Sequence, residues 1–195
     1  MLVYEIMSSP AITLRHTDTV RQAIRVLHDH DISAAPVLGD HDEIVGMAAD
    51  IDLLCGAFEA DPRVAAAAAR DEPLPRHVSD VMSRQVAVVS ETTDVVTLIE
   101  LMTAKRIKSV PVLCDGRLVG MVSRRDLMAM LAGTDDDLRA AVVAALRERY
   151  PYGPEWEVTV REGVVELHGH ATDSLDEAAD EITRSVPGVS RVRHS

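Results

Sequence analysis

The sequence predicts an α/β (α+β) chain in which two copies of a small unit pack as a pseudo-dimer and a smaller α-β-β-α-β piece follows. Three observations predict it. The chain repeats itself at an offset of about 75 residues, longer than a solenoid period. Within each copy the apolar residues switch between strand-like and helical spacing. After "LAGTDDDL" that grammar changes.

The repeat is read directly. "EIMSSPAITL" (Glu5–Leu14) recurs as "DVMSRQVAVV" (Asp80–Val89), and "VRQAIRVLHDHDISAAPVL" (Val20–Leu38) as "VVTLIELMTAKRIKSVPVL" (Val95–Leu113). The next turn is one residue shorter in the second copy, after which Gly46 aligns with Gly120 and Asp52 with Asp126. Each copy opens on a β-branched run, Ile12–Leu14 or Val86–Val89. Helix-start signals follow at Thr17-Asp18 and at Thr92-Thr93-Asp94. Val20, Ala23, Ile24 and Leu27, matched by Val95, Leu98, Ile99 and Met102, then fall at helical spacing. The Pro36-Val37-Leu38 or Pro111-Val112-Leu113 strand comes next, then a polar turn and a strand ending in Gly46-Met47 or Gly120-Met121. A last helix carries Leu53-Leu54 or Leu127-Met128. One such unit buries too little surface to stand alone, so the two are expected to pack sheet against sheet.

The expected boundaries are 1–56 for the first copy, 57–77 for an inserted helix and linker, 78–132 for the second copy and 133–195 for the last piece. The Ala65–Ala69 run predicts the inserted helix, and Pro73 and Pro75 stop it. In the last piece Asp135-Asp136-Asp137 open a helix with charge that suits its dipole. Leu138, Val142, Ala145 and Leu146 stripe it, and Pro151, Gly153 and Pro154 end it. Trp156, Val158 and Val160 alternate into a Glu162-Gly163 turn, followed by Val165 and Leu167, which reads as a hairpin. "SLDEAADEITRSV" is an amphipathic helix, and "PGVSRVRH" a final strand.

Composition narrows the function. With aromatics at 3%, the core must be aliphatic. A net charge of −12 argues against nucleic acid, whose phosphates need a basic patch, and disfavours anionic lipid. Cys55 and Cys114 form no CxxC or Cys/His pattern, and the first residues lack the basic-then-apolar pattern of a secretory signal, so the expected setting is cytoplasmic. His168 and His170 share a strand face, but no third ligand is placed beside them, so no metal is expected. No nucleophile–base set, phosphate-binding glycine loop or zinc cluster is visible, so the chain is not expected to be an enzyme.

The paired "IMSSPAIT … ISAAPVL … IVGMAADIDLL" and "VMSRQVAV … IKSVPVL … LVGMVSRRDLM" resemble a tandem cystathionine-β-synthase-type (CBS) domain pair, or Bateman module, over Met1 to about Leu131. The family's ligand signature is a glycine, a Ser or Thr three residues on and an Asp three further. Gly120, Ser123 and Asp126 match it; Gly46 and Asp52 match, with Ala49 in place of the hydroxyl residue. The resemblance implies an adenosine-type regulatory ligand (AMP, ADP or ATP), no required cofactor, and pairing of two modules into a homodimer. The Asp would hold the ribose hydroxyls, and the hydroxyl residue would orient ribose or phosphate.

The copies differ in charge. Arg124 and Arg125 open the last helix of the second copy, where the dipole disfavours cations and a bound anion would relieve them. Asp50 and Asp52 stand in the matching turn of the first copy and would repel phosphate. The second copy is therefore the expected site, centred on Ser123 and Asp126 with Arg124, Arg125 and Lys108, and lined by Val86 and Val110; Asp52 marks the weaker first site. Ser123 and Asp126 equally fit plain helix capping.

"REGVVELHGHA" and the closing "VPGVSRV" resemble a BON domain, covering about Asp135 to Ser195. BON domains are associated with phospholipid or protein partners, and here the excess of acids favours a protein partner over lipid. The leading expectation is a sensor whose CBS pair binds an adenine nucleotide and signals through the BON domain or a partner. The alternative is a ligand-independent adaptor for proteins or phospholipid.

Overall fold

The computed structural model describes residues 1–55, 57, 75–154, 156–169 and 171–195. The helix expected over Ala65–Ala69 lies outside the described residues. The described chain forms two compact units: one of Ser8–Ser90 and Ser109–Met121, the other of Met1–Met7, Glu91–Lys108 and Val122–Ser195.

The first unit begins with β1 (Leu14–Arg15), α1 (Val20–Asp29), β2 (Ala34–Leu38), β3 (Ile44–Ala49) and α2 (Asp50–Cys55). β2 is central, parallel to β1 and antiparallel to β3. β1 is shorter and later than Ile12–Leu14, because only Leu14 and Arg15 find partners, at Val37 and Leu38 of β2. The start of α1 also differs from expectation. Thr19 is the cap: its hydroxyl accepts from the Gln22 N–H at 3.2 Å, and the Gln22 side chain accepts from the Thr19 N–H at 2.9 Å. Asp18 instead closes the preceding turn by accepting from the Arg15 N–H at 2.7 Å. Leu14, Val20, Ala23, Leu27, Ala35, Val37, Ala48 and Leu53 form the core, an aliphatic cluster as the composition requires.

That core is completed by the leading segment of the second repeat. Val78 and Met82, on and just after α3 (Val78–Val81), are buried in it. The Val78 N–H donates to the Asp18 carbonyl at 2.8 Å, the Val20 N–H to Arg76 at 3.0 Å, and the Ser79 N–H to His16 at 3.0 Å. The other unit repeats the pattern with the roles exchanged. The Val3 N–H donates to Thr93 at 2.9 Å, Val95 to Met1 at 3.1 Å, and Tyr4 to Glu91 at 3.0 Å. Each repeat's leading segment therefore docks on the helix start of the other repeat, a reciprocal exchange that makes neither repeat complete alone.

β4 (Val89–Ser90), β5 (Ser109–Cys114) and β6 (Arg117–Ser123) form the second three-stranded sheet, again with the middle strand parallel to the first. As in the first repeat, the opening strand is only two residues, not Val86–Val89, because the register with β5 starts at Val89. β3 and β6 run past the expected ends at Gly46-Met47 and Gly120-Met121, to Ala49 and Ser123, and beside these glycines they pair with the leading segments: Met47 exchanges two 2.8 Å backbone hydrogen bonds with Ser83, and Met121 pairs the same way with Ser8 at 2.9 and 3.0 Å. A Cβ on Gly46 would stand 2.6 Å from the Met82 sulfur and 2.9 Å from the Ser83 carbonyl oxygen. The glycine is there for the crossing chain.

In the second unit, α4 (Val95–Lys105) buries Val95, Leu98 and Met102, and Asp94 caps it by accepting from the Val96 N–H at 2.8 Å. α5 (Arg124–Leu131) leads through a short link into α6 (Asp135–Arg149), β7 (Glu157–Arg161), β8 (Val164–His168), α7 (Asp173–Ser185) and β9 (Arg191–His194). β8 is central, antiparallel to β7 and parallel to β9. Val158 faces Leu167 and Val160 faces Val165, so one face of the hairpin is apolar, as its alternation predicts. α6 and α7 bury that face with Val142, Leu146 and Ala179. Glu162 (φ 50°) and Gly163 (φ 74°) make the left-handed two-residue turn. Asp135, at the start of α6, fastens it by accepting from both turn amides at 2.8 and 3.0 Å. One buried group is left over: the Thr183 hydroxyl has no partner among the described residues. Thr183→Val is expected to raise stability by about 1 kcal/mol, because it removes an orphaned hydroxyl and keeps the shape. A thermal melt with an unchanged or lower midpoint would contradict this.

Candidate functional site

The "GMVSRRDLM" stretch carries β6 into α5. Ser123 is extended (φ −122°, ψ 166°) and caps α5. Its Oγ accepts from the Asp126 N–H at 3.3 Å, and Asp126 Oδ2 accepts from the Ser123 N–H at 2.7 Å and from its hydroxyl at 2.7 Å. The capping role anticipated for these two residues is therefore real. It does not exhaust the carboxylate. All of these bonds use Oδ2, and Oδ1 accepts none among the described residues.

The same turn gathers cations. The Arg124 N–H donates to the Lys108 carbonyl at 2.8 Å, and its Nε to the Ile107 carbonyl at 3.2 Å, fixing the start of α5 against the segment after α4. Lys108, Arg124 and Arg125 are all exposed there. The structure thus brings Ser123, Asp126, Arg124, Arg125 and Lys108 together. Asp52, Val86 and Val110 belong to the other unit. Val86 is half-buried outside any strand, and Val110 is fully buried in β5, so it presents no surface to an open cleft.

The first repeat builds the same turn with less chemistry. The Asp50 N–H donates to the Ser33 carbonyl at 2.8 Å, the counterpart of the Arg124–Lys108 bond. Asp52 Oδ2 accepts from the Ala49 N–H at 3.3 Å, but Ala49 has no hydroxyl to return. Half of the capping box is missing, and the exposed charge is Asp50 in place of Arg124.

A second polar cluster, which the sequence did not single out, ties the last strand to α7. His194 Nδ1 lies 3.0 Å from Asp180 and its Nε2 lies 2.8 Å from the Gly169 carbonyl, with Asp176 at 3.6 Å. Both ring nitrogens face acceptors, an arrangement that favours the charged imidazolium over the neutral ring. Asp176 also accepts from the Trp156 indole N–H at 3.1 Å and the Ala171 N–H at 3.2 Å. The signal for this cluster was Asp176 and Asp180, four apart on one helix face. Burial works against the charged ring, but the Gly169 carbonyl, the Asp180 hydrogen bond and the two carboxylate charges outweigh it, so the His194 pKa is raised above 6.5. A raised native pKa stabilises the fold fully below the unfolded value and loses that contribution as pH rises through the native value. Between about pH 6 and about pH 9, wild type should therefore lose more thermal stability than His194→Gln. Equal losses in parallel melts would contradict it.

His168 is bonded within the same domain, to Ser195 at 2.7 Å and Thr159 at 3.3 Å; His170 lies outside the described residues. Among the described residues no three metal-ligating side chains converge, and no helix is long and apolar enough to cross a membrane.

Two fused repeats, each with a glycine inside its last strand and an aspartate in the first turn of the helix that follows, define a paired ligand-binding module carrying a small α+β domain. Family models identify both parts: CBS domain over residues 3–56 and 78–133, and BON domain over 134–195. The chain belongs to the CBS-domain family, as a tandem pair followed by a BON domain, and both are regulatory or ligand-binding modules without catalytic machinery. It is similar to inosine-5′-monophosphate dehydrogenase of Methanocaldococcus jannaschii, 30% identical over 125 residues, which are 64% of this chain and 22% of that enzyme. It is also similar to hypoxic response protein 1 of Mycobacterium tuberculosis, 28% identical over 125 residues, covering 63% of this chain and 80% of that protein. Among solved structures, the CBS domain pair of protein MJ0100, crystallised with 5′-methylthioadenosine and S-adenosyl-L-methionine, matches at TM-score 0.54 and 25% identity, covering 67% of this chain and 98% of that one.

Proposed function

We propose that the CBS pair is a regulatory module that binds an adenosine-type ligand at the start of α5. The single observation that carries this reading is Asp126 Oδ1, which accepts no hydrogen bond among the described residues and is held beside exposed Arg124, Arg125 and Lys108 by the Ser123 capping box. A carboxylate oxygen there can accept from a ribose diol while the cations meet phosphate. The adenosine-derived ligands of the MJ0100 pair support the ligand class. The local charge favours AMP, ADP or ATP over neutral 5′-methylthioadenosine and over S-adenosyl-L-methionine, which carries a sulfonium cation. Ligand occupancy then shifts the balance between two arrangements of the repeats, and the BON domain or a partner reads the change.

Binding to the native state must raise the melting temperature, by about 2.7 kcal/mol of added stability at a hundredfold excess over Kd. Melts with each of the five ligands test the reading: stabilisation rising from AMP to ATP is expected, and no stabilisation by any of them sinks it. The same reading includes a homodimer through the CBS pair, supported by the exposed apolar side chains Val96 (63%) and Ile99 (44%) on α4 and Met128 (72%) on α5. Sedimentation should give a dimer that Met128→Glu weakens; a monomer at micromolar concentration would contradict it.

A further inference from the structure

We propose that the groove where α5 meets the BON domain is a docking site for a segment of a partner protein that presents an arginine or lysine beside an aliphatic residue. The groove encloses about 510 Å³, room for a few side chains. Its apolar wall comes from Met130 and Leu131 at the end of α5, Leu138 of α6 and Pro187 before β9. Leu131 is 62% exposed, an aliphatic surface open to a partner.

Its charge has one sign, for two separate reasons. Among the described residues the ionisable groups lining it are Asp135, Asp137 and Glu162, with no lysine or arginine. Asp135 is bonded to the turn amides and Asp137 to the Thr134 hydroxyl at 2.6 Å, but these neutral donors leave both negative charges in place. Independently, the groove receives the carboxyl end of α5, where the macrodipole is negative. The last turn of α5 holds no basic residue to offset it. The end of the helix is also brought close to the BON domain: a Cβ on Gly188 would lie 3.3 Å from the Met130 carbonyl oxygen. Among the described residues no cation complements this helix C-terminus, and a partner can supply one.

The aliphatic half of the motif decides the class of occupant. A cationic side chain satisfies the acids, and a neighbouring Leu-like side chain covers Leu131 and Leu138. A polyamine has no such side chain, and an anionic lipid headgroup has the wrong sign. This inference does not depend on the nucleotide reading, since it uses none of its residues.

The test uses the full chain and a fluorescent peptide of alternating arginine and leucine, with a glutamate–leucine peptide of equal length as control. Anisotropy should show the basic peptide binding at least about tenfold more tightly than the control. Glu162→Lys should weaken it about fivefold and Leu131→Ser about tenfold; both side chains are exposed, so neither substitution threatens the fold. Reversal of an acid outside the groove, Glu100→Lys, should leave binding unchanged. Equal binding of the two peptides, equal weakening by Glu100→Lys and Glu162→Lys, or displacement by equimolar spermidine would each overturn the proposal.

Discussion

Asp126→Ala is expected to weaken AMP or ATP binding about a hundredfold or more while lowering stability by only about 1 kcal/mol. The two effects have different origins in one carboxylate. Oδ2 belongs to the fold: it accepts from the Ser123 N–H and hydroxyl, and its loss removes the reciprocal half of the capping box while Ser123 keeps its bond from the backbone N–H of residue 126. Under the proposed function Oδ1 is left for the ligand, where two hydrogen bonds from a ribose diol to a charged acceptor would each contribute about 1.5–3 kcal/mol. Asp52→Ala is the matched control. It removes the 3.3 Å bond from the Ala49 N–H and should leave affinity unchanged, since the first repeat has neither the hydroxyl nor the cations. Calorimetric titration of both variants separates the outcomes. A larger loss in Asp52→Ala would assign the ligand to the wrong repeat.

Gly46→Val should be the most damaging substitution to the fold, costing about 3 kcal/mol and lowering the melting temperature by about 6–12 °C. Its first new carbon would fall 2.6 Å from the Met82 sulfur and 2.9 Å from the Ser83 carbonyl oxygen. Met82 can move, although it is part of the first repeat's core. Ser83 cannot retreat without breaking its two 2.8 Å bonds to Met47. The substitution therefore pushes apart two repeats that hold each other's leading segments. A melt within 2 °C or so of wild type would show that the crossing is loose.

Much of this architecture was legible in the chain. The doubled Pro-Val-Leu and glycine-to-aspartate landmarks revealed the repeat, and the alternation around Glu162-Gly163 revealed the hairpin. What the chain hid was non-local. Nothing local marks Val3 and Val78 as residues that complete the other repeat, because the hydrogen bonds from Val3 to Thr93 and from Val78 to Asp18 span long stretches of sequence. Strand length was hidden for the same reason: β1 and β4 extend only as far as their parallel partners offer bonds. The cap of α1 was misplaced because Thr17, Asp18 and Thr19 are all competent capping residues, and only the Gln22 side chain selects Thr19. At the candidate site, residue types were readable but occupation was not. Ser123 and Asp126 were visible as cap and as ligand pair alike, and only the folded structure separates Oδ2, which is used, from Oδ1. Asp135, legible as dipole charge, also latches a hairpin turn in a different part of the chain.

The most direct test of the central claim is to locate the nucleotide, in crystals of the full chain grown with ATP. The expected result is a ribose within hydrogen-bond distance of Asp126 Oδ1, phosphates against Arg124, Arg125 or Lys108, and no adenosine at Asp52. A nucleotide seated on Asp52 and Ala49, with the start of α5 empty, would contradict it.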